Sequence, residues 1–425
     1  MKKDLIKKLS FFILATGLQA IINYTLISFF ANNLDIESFG KYNIYLALLP
    51  ILLIFTVFGL DGAVNLYYHK FTIRKYKILL FNIFFVLLPS ISLLFFLISI
   101  PILKFVSHLF KINFYTTIII TGISIFQSFI LSYLSFLQTK GEAYKYLKIF
   151  SSHILISNSV GIFLFILLKS LDFFFIGILV VNFLYVIYIL FFLWKKHLII
   201  PSFNLNIATD MTKYGISLLP NAIGSYLFFM SDRYFVSYFY GNKEVAFYSV
   251  GLYISMIIIM FNHALVKAWN PMLFKELKLL NNDTKRKIVK ISYLIIFAYI
   301  FIYILILLFD NFIFSIMFPE KFSKGLEYVP WIALGYIFIG FFKVFSGYLF
   351  YLEKNKLISF ISILSAIINI VLNYIFINMY GPLGVAYATA ITMFIFMLFV
   401  FIYVQKYFKL PWIEIVWEKI NIMKK

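Results

Sequence analysis

Long apolar runs, one after another with short lysine-bearing links between them, restrict this chain more than any other feature. Leu9–Leu34, Tyr42–Leu60, Ile78–Leu103, Ile112–Thr139, Ile149–Leu168 and Phe173–Trp194 contain no Asp, Glu, Lys or Arg. A hydrocarbon core about 30 Å thick takes roughly 20 such residues as a helix. Lipid offers an unpaired backbone no partner, so a helix is the form such a run takes there. The pattern resumes at Tyr214–Tyr240 if Asp232 and Arg233 are tolerated, and at Val245–Trp269 if Lys267 is. Ile291–Phe309 follows, then Tyr328–Leu352 with Lys343 inside it. The last run, Leu357–Gln405, is too long for one span, and Asn378-Met379-Tyr380-Gly381-Pro382 divides it, since Gly and Pro together favour a turn. Twelve transmembrane helices are expected. Met1-Lys2-Lys3 before the first run has the charge of a signal peptide, but the run exceeds the ~7–15 apolar residues of such a segment, so it is read as helix 1.

Composition agrees. Apolar residues make up 63% of the 425 positions and charged ones 13%, against roughly 45–50% and 25% in soluble domains. A soluble enzyme or a nucleic-acid binder could not bury that much apolar surface, so the net charge of +20 needs another explanation. Lys and Arg accumulate on cytoplasmic loops of membrane proteins. With both termini cytoplasmic, the alternating topology puts 27 of the 37 basic residues inside and 7 outside, leaving Arg233, Lys267 and Lys343 within spans. With no cysteine, disulfides and thiolate metal sites are excluded. No metal or cofactor is expected.

The chain reads as two halves, 1–205 with helices 1–6 and 206–425 with helices 7–12. Glu37-Ser38-Phe39-Gly40-Lys41-Tyr42 opens helix 2 and Glu244-Val245-Ala246-Phe247-Tyr248 opens helix 8, with Tyr42 and Tyr248 offset by 206. Six helices per half make the repeats parallel, about an axis along the membrane normal. The fold expected is an all-α polytopic membrane protein of two pseudo-symmetric six-helix bundles. Residues 411–425 mix apolar and charged side chains and read as an interfacial helix.

Ionised side chains inside a bilayer cost about 2.5–3.5 kcal/mol each even on lenient scales, which marks them as functional candidates. Asp232 and Arg233 lie in helix 7, Lys267 in helix 8 and Lys343 in helix 10; Asp61 sits at the cytoplasmic end of helix 2. Under the 206 offset Asp61 and Lys267 are equivalent, which suggests that they face one another. His263, Lys267 and Asn270 share one helical face, and Lys343 stands between Gly340 and Gly347. Ser217, Asn221, Ser225 and Asp232 line one side of helix 7. His153 and His263 read as packing residues. Cations outnumber carboxylates here, which suits an anionic headgroup such as phosphate. No Ser/His/Asp spacing, HExxH or GxxxxGK[ST] occurs, so neither an enzyme nor direct ATP drive is indicated.

Tyr214-Gly215-Ile216-Ser217-Leu218-Leu219-Pro220, Ser231-Asp232-Arg233-Tyr234-Phe235 and Tyr248-Ser249-Val250 resemble the seventh and eighth helices of bacterial polysaccharide flippases. These form the Wzx or O-antigen transporter group of the multidrug/oligosaccharidyl-lipid/polysaccharide (MOP, MATE-like) superfamily. Ala366-Ile367-Ile368-Asn369-Ile370-Val371-Leu372-Asn373-Tyr374 and Tyr380-Gly381-Pro382-Leu383-Gly384-Val385-Ala386-Tyr387-Ala388-Thr389 are similar to its helix 11–12 signature, and Gly40-Lys41-Tyr42 and Trp269-Asn270-Pro271 also fit. The resemblance implies flipping of an undecaprenyl-diphosphate-linked oligosaccharide across the bacterial cytoplasmic membrane by ion-coupled alternating access. The partners it implies are that lipid-linked oligosaccharide, membrane lipids, and the polysaccharide polymerase and chain-length machinery. Arg233, Lys267 and Lys343 then guide the diphosphate or acidic sugars, and Asp61 or Asp232 carries a coupling proton. A multidrug or other lipid exporter of the same superfamily is the alternative, although helix 1 lacks the acidic residue such an exporter is expected to carry. A lipid II flippase has a similar fold but typically fourteen helices. A membrane glycosyltransferase or polymerase would need catalytic carboxylates beside a long outer loop, and the link around Asp310–Glu327 is short.

Overall fold

In the computed structural model, which describes residues 2–279 and 281–414, the long elements are all helices. They are α1 (Lys2–Asn33), α2 (Ile36–Val57), α3 (Leu60–Tyr68), α4 (Ile73–Phe81), α5 (Leu88–Leu109), α6 (Phe114–Thr139), α7 (Ala143–Leu168) and α8 (Leu171–Lys195). After a link come α9 (Leu205–Tyr240), α10 (Asn242–Leu279), α11 (Asn282–Met317), α12 (Val329–Tyr351), α13 (Asn355–Tyr380) and α14 (Leu383–Phe408). A π-helical turn, Asn82–Leu87, fuses α4 and α5 into one helix, and a 3-10 segment, Glu320–Tyr328, leads into α12. Among the described residues, eleven helices are long and apolar enough to span a membrane. The twelfth long helix is α9, whose internal charges lower its apolar character; it is the one expected from a run that had to tolerate Asp232 and Arg233.

By packing, the chain divides into two compact units, Met1–Tyr226 and Leu227–Lys425, so that α9 begins in the first and ends in the second. Each unit repeats one packing order. In the first, α2 packs on α6, α6 on α8, α8 on α7 and α7 on α1; in the second, α10 packs on α12, α12 on α14 and α14 on α13. In the second unit that order continues with Ser231 and Asp232 of α9 against Asn369 and Asn373 of α13. The 206 offset appears again in hydrogen bonds. Thr56 Oγ1 donates to the Ser124 carbonyl of α6 at 3.1 Å, and Asn262 Nδ2 donates to the Tyr336 carbonyl of α12 at 3.3 Å. Tyr42 and Tyr248 are both buried. The all-helical fold of twelve long helices among the described residues is the one expected from the sequence, while the packing boundary falls inside α9 and not at residue 205.

Two boundaries differ from that expectation. Helix 2 does not run to Asp61: it ends at Val57, because Phe58 and Gly59 both adopt left-handed backbone (φ 51° and 68°). Asp61 therefore lies in the first turn of α3, where a carboxylate complements the positive end of the helix dipole. The basic stretch between helices 8 and 9 is also not a loop. It is helical through Leu279 and again from Asn282, where Asn281 and Thr284 cap each other's backbone in a capping box. Glu276, buried there, is paired with Lys287. At the C-terminus Trp412–Glu414 are helical and the Trp412 carbonyl accepts from Tyr293; the rest of the expected interfacial helix, 415–425, lies outside the described residues.

Close helix crossings use glycine where a side chain cannot fit. A Cβ on Gly177 of α8 would come within 2.7 Å of Gly161 Cα on α7, and one on Gly215 of α9 within 2.1 Å of the Phe58 carbonyl oxygen. At the π turn the buried Asn82 donates to Ser202 O at 3.0 Å and accepts from the Asn204 amide at 3.2 Å, strapping the link before α9 to α4.

Candidate functional site

Four of the five candidates fall in the second unit, and they separate into two groups. The first is built around Asp232. Its side chain is 5% exposed and points from α9 into a polar knot made by α10, α13 and α14. Tyr248 donates its hydroxyl to Oδ2 at 2.6 Å, Thr389 Oγ1 donates to the same oxygen at 3.0 Å, and Asn373 Nδ2 donates to Oδ1 at 2.9 Å. Asn369 completes the knot by donating from Nδ2 to Thr389 at 3.1 Å and accepting from Asn373 at 3.2 Å. Ser231 donates to Asn369 Oδ1 at 3.4 Å. Buried carboxylates persist only where such donors replace water. Beside Asp232, Phe228, Tyr248, Leu252, Tyr336 and Thr389 enclose a cavity of about 10 Å³, close to the space of one water.

The α13 residues reach Asp232 because Asn369 and Asn373 stand at i and i+4 on one face of the helix, within the apolar stretch 366–377. Thr389 comes from the second turn of α14, after Gly381 (φ 66°) reverses the chain. Sequence reasoning singled out Asp232 but did not gather Tyr248, Asn369, Asn373 and Thr389 around it. The usable signal was the polar pair four residues apart in an apolar run.

Arg233, the next residue, is 6% exposed, so it does not reach out to the interface. Its guanidinium contacts Met230 Sδ at 3.0 Å and lies within electrostatic reach of Asp232.

The second group is cationic. Lys267 is exposed on α10, and Lys343 is half-buried on α12. Both act electrostatically on His263, which shares the Lys267 face of α10. Among the described residues neither ammonium group meets a carboxylate. Lys343 stands between the close approaches at Gly340, against Asn262 and Tyr299, and at Gly347, against Asn270. These glycines let α10 and α12 approach closely along the stretch that carries Lys267 and Lys343. Asn270 is half-buried with its Oδ1 unpaired, an acceptor one turn from Lys267.

Asp61, by contrast, belongs to the first unit. It is half-buried, and its carbonyl accepts from Ser135 Oγ at 2.6 Å. Gly59 and Gly62 on either side of it pack against Gly215, Leu218 and Tyr214 of α9. Of the polar face read on helix 7, Ser217, Asn221 and Ser225 are exposed and Asp232 is not. His153 is a packing residue: its Nε2 lies 2.7 Å from Asn182 Oδ1, inside the first unit.

A family model described as polysaccharide biosynthesis protein matches residues 5–276, and one described as MatE matches residues 218–375. No curated protein matches the chain. Among solved structures, the lipid II flippase MurJ in an inward closed conformation is similar at TM-score 0.74 and 17% identity, over 93% of this chain and 87% of that one. An inward-facing multidrug resistance MATE family transporter of the MOP superfamily is similar at TM-score 0.73 and 12% identity, over 92% and 94%. A MOP superfamily transporter from Pyrococcus furiosus, whose binding pocket is described as reversed in polarity, is similar at TM-score 0.62 and 13% identity, over 96% of each chain. At these identities the likeness is one of fold.

Proposed function

We propose that this chain, which belongs to the polysaccharide biosynthesis protein family, flips a lipid-linked oligosaccharide from the cytoplasmic to the outer leaflet of the bacterial cytoplasmic membrane. The observation that carries the reading is that Lys267 and Lys343, on the neighbouring helices α10 and α12, both lie within electrostatic reach of His263 and meet no carboxylate among the described residues. Such a field recruits a diphosphate headgroup. Arg233 is assigned a supporting part in the same field, from a buried position. The halves 1–205 and 206–425 alternate access, with both termini cytoplasmic, and the lipid-linked product passes to the polymerase and chain-length machinery.

Asp232 is the carboxylate best suited to couple an ion. Its three neutral donors and the water-sized space beside it allow a proton to be taken up without dismantling the packing. Asp61, backed by glycines, is the second candidate.

The test is a leaflet-resolved measurement of lipid-linked sugar in a strain lacking the gene. Lys267→Glu with Lys343→Glu should leave the sugar on the cytoplasmic leaflet, with the protein present in the membrane at its usual amount. Normal outer-leaflet sugar in that strain would overturn the proposal.

A further inference from the structure

A second cavity lies wholly within the first unit, remote in sequence from the lysines of α10 and α12. It encloses about 660 Å³ between α6, α7 and α8, within the roughly 300–1,000 Å³ usual for sites that take small molecules. Two matched helical faces form its walls. Lys145, Lys148 and Ser152 follow one another at i, i+3 and i+7 on α7, and Tyr185, Tyr188 and Phe192 do so on α8, so each triple projects to one side. Lys196 closes one end and Leu184, 56% exposed, the other. The stretch from Leu184 to Lys196 rises about 18 Å at 1.5 Å per residue, close to half of a ~30 Å hydrocarbon core. The groove is as deep as one leaflet, cationic at the mouth and apolar within.

Its floor is fixed in place. The Tyr185 hydroxyl donates to Ser152 Oγ at 2.8 Å, and the Tyr185 ring packs edge-on against His153. At the mouth, Glu142 engages Lys145 at 2.8 Å and Lys140 at 3.2 Å. Lys148 and Lys196 are exposed, and among the described residues neither meets a carboxylate. Two unneutralised ammonium groups above an apolar slot match the chemistry of a lipid phosphate. Basic recesses between transmembrane helices on the cytoplasmic side are the usual form of a site for anionic headgroups.

We infer that this groove seats an anionic phospholipid of the leaflet on the lysine-rich side, with its phosphate between Lys148 and Lys196 and an acyl chain along Phe192 and Leu184. A zwitterionic lipid brings its own cation to the lysines and loses the advantage. Free phosphate satisfies the lysines and leaves the slot unused. A glycan-bearing lipid needs polar room beside its phosphate, where the walls are Tyr188 and Phe192. The inference stands apart from the flipping proposal, since the site uses none of its residues.

Native mass spectrometry of the purified full chain, titrated with dioleoyl lipids, tests it. Phosphatidylglycerol should bind at one copy and at least tenfold more tightly than phosphatidylcholine. Lys148→Gln with Lys196→Gln should weaken phosphatidylglycerol about tenfold, each lysine near a lipid surface contributing severalfold. Leu184→Trp, which fills the slot without changing charge, should weaken it too. All three residues are exposed, and circular dichroism with melting temperature will show the variants folded. Equal binding of the two lipids, or unchanged phosphatidylglycerol binding by the double variant, would falsify the inference. Displacement of the lipid by millimolar inorganic phosphate, with Leu184→Trp without effect, would make this a site for free anions. Preferential binding of a polyprenyl diphosphate would make it a cargo site; either result overturns the phospholipid assignment.

Discussion

Single residues in this protein act through what their burial demands. Replacing Asp232 by Asn keeps the shape of the side chain but removes its charge. Asp232→Asn should reach the membrane at wild-type levels and lose the dependence of transport on the ion gradient, measured in membrane vesicles. Asp232→Ala leaves Tyr248, Asn373 and Thr389 with donors aimed at nothing, at a cost of about 1–3 kcal/mol, read as a lower melting temperature in detergent. Outside the membrane, Asp35 caps α2: its Oδ1 accepts from the Ser38 amide at 2.8 Å. That backbone hydrogen bond is the main reason its carboxyl titrates below the usual range, with the Ser38 hydroxyl, the Glu37 amide and Lys41 adding to it against burial. A carboxyl lowered in the folded state stabilises above its ordinary value and loses that contribution as pH falls through the lowered one. Amide exchange at Ser38 should therefore be about fivefold faster in Asp35→Ala than in the native chain near neutral pH, the equivalent of about 1 kcal/mol of capping. The difference should vanish in strong acid.

Among the elements, the helices were legible and their ends less so. Every long helix follows a run that hydrocarbon forces into that form. The break after Val57 escaped notice because Phe58 gives no turn signal, and only its partner Gly59 suits a left-handed backbone. The extensions of α10 and α11 are not legible from charge, because charged residues on a helix leaving the bilayer are simply solvated. The Asp232 knot draws on four helices, and the spacing within any one of them shows only its own share. Glycines make a sharp comparison at this scale. Gly177→Ala meets Gly161 at 2.7 Å and should destabilise the α7–α8 crossing by about 1–3 kcal/mol. Gly17→Ala, with nothing within 4 Å, should stabilise α1 by about 0.5–1 kcal/mol. Paired melting curves in the same detergent decide both.

For the whole molecule, the repeat is legible in the sequence because it follows from a pattern carried by many residues at once, and the lysine bias predicts an orientation. The offset linking Tyr42 with Tyr248 is the one linking Thr56 with Asn262, whose side chains bond to matching helices. Where each cation points was not visible, since periodicity places a residue on a face without saying what packs there. Topology is open to direct test because the chain has no cysteine of its own. A single Cys in place of Lys196 should react with an impermeant maleimide only after the membrane is opened. A Cys in place of Lys111 or Lys243 should react in intact cells. The reverse pattern would invert the topology.

The π turn at Asn82–Leu87 holds one residue more than an α-helix would need. Everything beyond it is turned about 100° from where an uninterrupted spiral would place it. Ser92 and Ser99 consequently look inward, while Leu93, Leu97 and Ile98 look out. Loss of a single codon from that stretch would let the turn close into ordinary α-helix and keep both faces as they are, whereas straightening it without losing a residue would swing the hydroxyls toward lipid and the leucines toward neighbouring helices.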